Sequence, residues 1–224
     1  MTLISGDNIK ISEHIVLRQP KLKDIRDIGY DKYLLYINVL LLDVTAWINS
    51  AKLPPDLQKV LLASSDIEVI SVEPVLKSLF DEALSFFVCS DSSISIGDLL
   101  EEEFYEIRRV VRKINYLNGE ESTAELKFRN NTARRIYEQT QQRRKKVTKK
   151  DESINLPNII SAVSVGHNSY NLTNIWELTI YQLYDQFFRQ NMKVQMDTIG
   201  LRWAAWGKDK FDFDMWYRDL LDKK

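Results

Sequence analysis

Apolar residues recur at three- and four-residue intervals over most of the chain, a spacing typical of amphipathic helices. The pattern is clear in residues 30–48, 75–87 and 101–117. A shorter stretch between Pro20 and Gly29 has the same spacing, with a proline where a helix begins and a glycine where it ends. Most of the first half of the chain is therefore predicted to be helical.

The first 18 residues instead alternate between apolar and polar positions, which is typical of strands. Apolar residues at 3–4, 9, 11 and 15–17 are separated by a turn-forming cluster at 5–8. This pattern predicts a small β-hairpin or three-stranded meander. The expected fold class is mainly α with a small N-terminal β-hairpin or meander, that is α+β, with helical bundle-like packing.

The composition of the chain changes near residue 147. Residues 127–150 contain ten basic residues and one acid, Glu138, so a solvated helix is predicted over 125–146. Four of the five tryptophans follow Pro157. We expect an N-terminal region of hairpin and helices over 1–147, a charged linker over 148–155 and an aromatic-rich helical C-terminal region over 156–224.

Within the C-terminal region, apolar spacing predicts separate helices over 176–188 and 192–203, with Gly207 closing the second. Asn174 and Glu177 are placed as a capping box for the first. A short terminal helix is expected over 211–221.

Charge and cysteine content narrow the function classes. The chain has 31 basic and 32 acidic residues, so no overall field attracts it to nucleic acid or to an anionic membrane. Cys89 is the single cysteine, which excludes an intramolecular disulfide, and its apolar neighbours predict that it is buried. The first residues resemble no secretion signal, so the protein is expected to stay in the cell that makes it.

Residue types that carry catalysis are sparse. His14 and His167 lie in no metal-ligand spacing, and no phosphate-binding glycine loop or nucleophile elbow is present. The acidic groups at 101–103 and at Asp209, Asp212 and Asp214 are interpreted as solvated caps rather than as paired catalytic carboxylates. We therefore expect no enzyme activity, no catalytic residue, no cofactor and no metal.

Two sets of residues are candidates for partner binding. The first is basic and is able to contact an acidic partner or, alternatively, the phosphates of a nucleic acid. The second is aromatic, with two tryptophans three residues apart on one helix face, and offers anchors to a protein partner. The sets are Arg134, Arg135, Arg143, Arg144, Lys145 and Lys146, and Trp203, Trp206 and Trp216.

Two stretches carry a family resemblance. In the first, Ser5-Gly6-Asp7-Asn8-Ile9-Lys10-Ile11 leads to Arg18-Gln19-Pro20-Lys21-Leu22 and then to Ile28-Gly29. In the second, Leu156-Pro157 and Ser161-Ala162 precede Tyr170-Asn171-Leu172, Ile180-Tyr181 and Phe187-Phe188-Arg189. Together they resemble the tail assembly chaperone-like proteins of phages and prophages of Gram-positive bacteria.

This resemblance implies a factor that binds tape measure protein and tail tube protein during tail morphogenesis, in the cytoplasm of the bacterial host. Reversible self-association is also implied, and no membrane is involved. The alternative is a nucleic-acid-binding or regulatory phage protein that uses the basic 127–150 segment.

Overall fold

The computed structural model of the protein describes residues 2–50, 54–89, 94–117 and 155–207, without the side chain of Ser50. Regular structure in these ranges is helical apart from one two-stranded antiparallel sheet. The predicted fold class, mainly α with a small N-terminal hairpin, is confirmed. The helices are α1 Thr2–Ser5, α2 Leu22–Ile28, α3 Tyr30–Leu40, α4 Val44–Ser50, α5 Pro55–Ala63, α6 Asp66–Val72, α7 Pro74–Phe87, α8 Glu101–Ile114, α9 Leu156–Gly166 and α10 Ile180–Trp206.

The hairpin pairs β1, Ile9–Lys10, with β2, Val16–Leu17, so that Ile9 lies opposite Leu17. A further strand at residues 3–4 does not form, because these residues lie in α1. The side chain of Gln182 donates a hydrogen bond to the Ile4 carbonyl at 2.9 Å, which holds α1 against α10. That contact joins residues 178 positions apart, and no local alternation predicts it.

The apolar run over 30–48 forms two helices rather than one. α3 ends at Leu40, and the Asp43 carboxylate accepts a hydrogen bond from the Ala46 amide at 2.9 Å at the start of α4. A short polar side chain that satisfies a free amide favours a new helix start over continuation. α6 was not predicted, although Ser65 and Glu68 form a capping box before it.

α10 also differs from its prediction, because residues 180–206 form one continuous helix of 27 residues. Its cap is Thr179 with Gln182, whereas Asn174 precedes only a 3₁₀ turn at Ile175–Glu177 and makes no cap hydrogen bond. Gly207 ends the helix as predicted, in the left-handed conformation with φ 61°.

The core is a single cluster of buried side chains drawn from α2, α3, α4, α6, α7, α8, α9 and α10. Phe80 of α7 stacks on Phe104 of α8 with ring centroids 5.7 Å apart. Tyr33 of α3 is buried and donates a hydrogen bond to the Asn115 side chain at 2.6 Å, which satisfies two polar groups inside the core.

Two side-chain predictions are wrong. Cys89 is exposed, because the chain emerges here from α7 and only its amide is tied down, donating to the Val16 carbonyl at 2.8 Å. The charge of Arg108 predicts a position on the polar side of α8, with its neighbours Arg109, Arg112 and Lys113, but this residue is only 7% exposed. Its guanidinium pairs with Asp66 at 2.7 Å, donates to the Leu42 carbonyl and lies over the Phe104 ring.

Ile94 and Ile96 alternate with serine in the sequence, a pattern that predicts a brief strand, but the structure has a 3₁₀ turn at Ile96–Asp98. The predictions for 118–123, 125–146, 148–154 and 211–221 lie outside the described residues. A search of the described residues for a helix long and apolar enough to span a membrane found none.

Candidate partner-binding helix

The first turns of α10 are fixed in the core. The Thr179 hydroxyl accepts a hydrogen bond from the Gln182 amide at 3.2 Å, and the Gln182 side chain accepts from the Thr179 amide at 2.9 Å. Ile180, Tyr181 and Leu183 are buried. With 27 residues the helix is about 40 Å long, so this anchor holds only its first part.

Tyr116 fixes α10 at its next turn. Its ring lies 4.8 Å from the Tyr181 ring, 6.1 Å from Tyr184 and 5.4 Å from Phe188, measured between centroids. Its hydroxyl donates a hydrogen bond to the Asp185 carboxylate at 2.9 Å. Burial and this contact raise the pKa of Tyr116, so the hydroxyl stays protonated and continues to donate.

The distal part of α10, residues 191–206, has only exposed or half-buried side chains. The helical spacing sorts its larger side chains onto two faces. We call one face the inner stripe and the other the outer stripe. In both, successive members are alternately four and three residues apart. The inner stripe is Met192, Met196, Ile199, Trp203 and Trp206, and the outer stripe is Val194, Thr198, Leu201 and Ala205.

The inner stripe is half-buried at its two methionines and isoleucine and becomes exposed toward the helix end. Trp203 is 53% exposed and Trp206 is 68% exposed. Large aromatic side chains with this much accessible surface are typical of anchors in protein interfaces. The structure therefore brings the two predicted tryptophans together on the last turn of α10.

The outer stripe is exposed along its whole length, with Val194 65% and Leu201 73% exposed. The sequence analysis did not predict this stripe, because its residues are smaller than the tryptophans and methionines that define the inner stripe. Its signal was present in the chain as the same four-three-four spacing.

The distal part of α10 has three charged side chains, Lys193, Asp197 and Arg202. Lys193 and Asp197 form an ion pair on one side of the helix at 2.7 Å, and Arg189 lies 3.6 Å from Asp185. Neither stripe includes a charged residue, so both faces present mainly apolar surface. The distal helix is suited to apolar contacts rather than to binding a small charged ligand.

The other residues predicted to bind partners, and the predicted acidic groups, are described only in part. Arg134, Arg135, Arg143, Arg144, Lys145, Lys146 and Trp216 fall outside the described residues. At the start of α8, Glu103 accepts a hydrogen bond from the Leu100 amide at 3.0 Å, which is the contact of a helix cap. Asp209, Asp212 and Asp214 are not described.

The two histidines are in separate surroundings, His14 on an exposed turn and His167 against the Tyr170 ring at 4.6 Å. Among the residues that the structure describes, no three His, Cys, Asp or Glu side chains are grouped as metal ligands would be.

An open groove of about 580 Å³ lies along α8. Its charged lining residues are Asp66 of α6 and, from α8, Glu102, Glu106, Arg108, Arg109 and Arg112. Arg108 is paired with Asp66 and Arg109 with Glu106, so acidic and basic groups balance within the groove itself. The groove is therefore a less specific candidate than α10.

Comparison with known families gives a match to the C-terminal part of the chain. Residues 147–220 match the family model described as YomV second domain, a region that includes α9 and all of α10. The match covers about a third of the chain and suggests a phage- or prophage-derived protein. No curated protein and no solved structure matches the chain.

Proposed function

We propose that the protein is a phage tail assembly chaperone-like factor, which binds tape measure and tail tube proteins during tail morphogenesis. Three findings support this proposal: the family resemblance of residues 5–33 and 156–189, the match of residues 147–220 to a family that suggests phage origin, and the form of α10. The main structural support for the proposal is the exposure of Trp203 and Trp206 at the end of α10.

The apolar face of α10 suits the protein that such a chaperone binds, which we call its client. The family resemblance implies that the client, a tape measure protein, is long and helical. A protein that binds such a client must offer an apolar surface that runs along a helix. The inner stripe of α10 offers one, with steps of four and three residues that match the packing of one helix on another. Burial of exposed Trp206 and Trp203 against a client would supply much of the affinity.

No chemical step is needed for this role. We propose that the protein acts as a binding factor and not as an enzyme, with no cofactor, in the cytoplasm of the bacterial host. Binding through apolar contacts is reversible, which suits a factor that must be displaced when tube subunits assemble.

The test is co-purification with a tape measure fragment and with tube protein expressed in the same cell. The wild-type protein should recover the tape measure fragment, and a Trp203→Ala/Trp206→Ala variant should recover at least roughly tenfold less. Val75→Ala is the matched control, because Val75 is 64% exposed on α7 and away from the stripe. Circular dichroism of all three proteins checks that they are folded.

Recovery of neither tail protein by the folded wild-type chain would overturn the proposal. The nucleic-acid alternative makes a different prediction, namely that DNA or RNA is retained at low salt and lost steeply as salt rises. Neutralising Arg143, Arg144, Lys145 and Lys146 would abolish that retention, while the tryptophan variants would leave it unchanged.

A further inference from the structure

We propose that the outer stripe of α10 joins two copies of this chain, with their α10 helices antiparallel. This inference does not depend on the identity of the client. It rests on the spacing, exposure and hydrogen bonding of Val194, Thr198, Leu201 and Ala205.

The outer stripe is apolar in effect although it contains a threonine. The Thr198 hydroxyl donates a hydrogen bond to the Val194 carbonyl of its own helix at 2.8 Å. Its polar group is therefore already satisfied, and covering the stripe would leave no unpaired donor. Val194, Leu201 and Ala205 contribute only carbon atoms, so contact with another apolar face removes unfavourable exposure.

The positions of the four residues along the helix indicate that a second copy of the outer stripe covers the first. When two copies of α10 are laid antiparallel about a two-fold axis between residues 199 and 200, Val194 of one copy faces Ala205 of the other. Thr198 then faces Leu201 in the same way. Each layer pairs a larger with a smaller side chain, which is how antiparallel helices fill the space between them.

The outer stripe is therefore complementary to a second copy of itself that runs in the opposite direction. A two-fold interface uses the same patch on both subunits, so a stripe that complements its own reversed order is suited to a second copy. A parallel pairing would instead place Leu201 against Leu201 and Ala205 against Ala205, which leaves a wide layer beside a narrow one.

The charged side chains of the distal helix, Lys193, Asp197 and Arg202, lie outside the stripe. Lys193 and Asp197 neutralise each other within one helix at 2.7 Å, beside the stripe. The stripe from Val194 to Ala205 is about 17 Å long, which is too short for the 1,200–2,000 Å² or so that stable interfaces bury. The resulting dimer is therefore reversible, and the inner stripe stays accessible in it.

The mass of the protein in solution tests the association. Sedimentation of the wild-type chain, in the presence of a reductant, should shift from monomer to dimer as concentration rises. Leu201→Lys should weaken dimerisation by roughly tenfold or more, because both copies lose an apolar contact and gain a charge. Trp206→Ala is the matched control on the inner stripe and should dimerise like the wild type.

The antiparallel register has its own test in a Cys89→Ser background. Val194→Cys and Ala205→Cys chains, when mixed and oxidised, should form a disulfide-linked dimer of one chain of each kind. Val194→Cys alone should crosslink poorly, since its two copies lie on opposite sides of the two-fold axis.

A mass that stays monomeric at all concentrations would overturn the inference, as would strong crosslinking of Val194→Cys to itself. Loss of dimer in Trp206→Ala with dimer retained in Leu201→Lys would place the contact on the inner stripe and would also overturn it. None of these measurements includes a tail protein, so the proposed function succeeds or fails separately.

Discussion

Tyr116 has a backbone conformation that glycine adopts more easily, with φ 55°. It follows α8, where the Leu117 amide donates to the Arg112 carbonyl at 2.9 Å and closes the helix end. Glycine is the usual residue at this position. The tyrosine is retained because its ring and hydroxyl reach Tyr181 and Asp185, and these contacts offset a backbone cost of about 1 kcal/mol.

Two substitutions separate these effects. Tyr116→Phe keeps the ring but loses the hydrogen bond to Asp185, so the free energy of unfolding should fall by about 1 kcal/mol. Tyr116→Gly relaxes the backbone but removes the ring, and should cost about 2–3 kcal/mol. Denaturant unfolding measures both. A Tyr116→Gly variant as stable as the wild type would show that the ring contacts contribute no more than the roughly 1 kcal/mol gained when the backbone relaxes.

Tyrosine ionisation gives a prediction at alkaline pH. Burial raises the pKa of Tyr184 to about 12, and burial also raises the pKa of Tyr33 and of Tyr116. In the unfolded chain these groups lose their protons near pH 10. The stability that they contribute is therefore complete below about pH 10 and is lost as the pH rises through the folded-state values.

The free energy of unfolding should accordingly fall between about pH 10 and 12. Tyr184→Phe should reduce that fall by up to about 2 kcal/mol, because one group that ionises only in the unfolded chain is gone. Urea unfolding of both proteins across this range is the measurement. Identical pH dependence in the two proteins would contradict the prediction.

Spacing was a better guide to individual side chains than residue type. Arg108 lies four residues after Phe104 and three before Val111, on the buried face of α8. Its charge suggested the opposite face. No local pattern predicts its partner. Asp66 is 42 positions away in the chain, and α6 brings its carboxylate within 2.7 Å of the Arg108 guanidinium.

At the scale of elements, α10 depends on its first turn. Thr179 caps the helix and is 2% exposed, and its backbone forms a bridge with Lys21. The cap therefore fixes both the start of the helix and its position against the segment before α2. The capping box was recognisable in the sequence as Thr179 with Gln182, but the similar Asn174 and Glu177 pair was chosen instead.

Thr179→Ala should lower the free energy of unfolding by about 1–2 kcal/mol, because the Gln182 amide loses its acceptor. Thr179→Ser is the matched control, since it keeps the hydroxyl and should cost much less. Thermal and denaturant unfolding of the two variants measure the difference. Equal losses would assign the effect to the threonine methyl group rather than to the cap.

The elements that sequence predicted well are those whose signals are local. α8 has an acidic start and a basic end around one apolar face, and the helix found at Glu101–Ile114 closely follows the expected 101–117. α1 was missed because it depends on a contact with a distant residue, the hydrogen bond between the Ile4 carbonyl and the Gln182 side chain. The break before α4 has a local signal in Asp43, which the continuous apolar spacing over 30–48 obscured.

At the scale of the whole molecule, one core extends from the N-terminal helices to α9 and α10. The Leu22 amide donates to the Leu178 carbonyl at 2.9 Å, and the Ile180 amide donates to the Pro20 carbonyl at 3.1 Å. Glu177 adds contacts with Lys23 and Lys21, whose ammonium groups lower the pKa of its carboxyl. These links join regions that the sequence divides at 148–155.

Because the core is shared, we expect the full chain to unfold in a single transition. Tryptophan fluorescence reports mostly on the C-terminal region, and far-ultraviolet circular dichroism reports on all helices. The two denaturation curves should coincide. Separate midpoints would show that the region before residue 147 and the region after 155 unfold independently.

The candidate site was predictable in part. Two tryptophans at a three-residue interval define one helix face whatever the tertiary structure, so Trp203 and Trp206 could be named in advance. Whether a face is covered depends on every element that packs near it. The exposure of Val194 and Leu201 therefore became visible only with the fold.

The exposed position of Cys89 has a practical consequence for all of these measurements. As the single thiol of the chain, it accepts one maleimide dye at one defined place. In air, oxidation of this thiol can link two copies of the chain through a Cys89–Cys89 disulfide. A covalent pair linked through Cys89 would have the mass expected for an α10 dimer, so preparations without a reductant would mimic self-association.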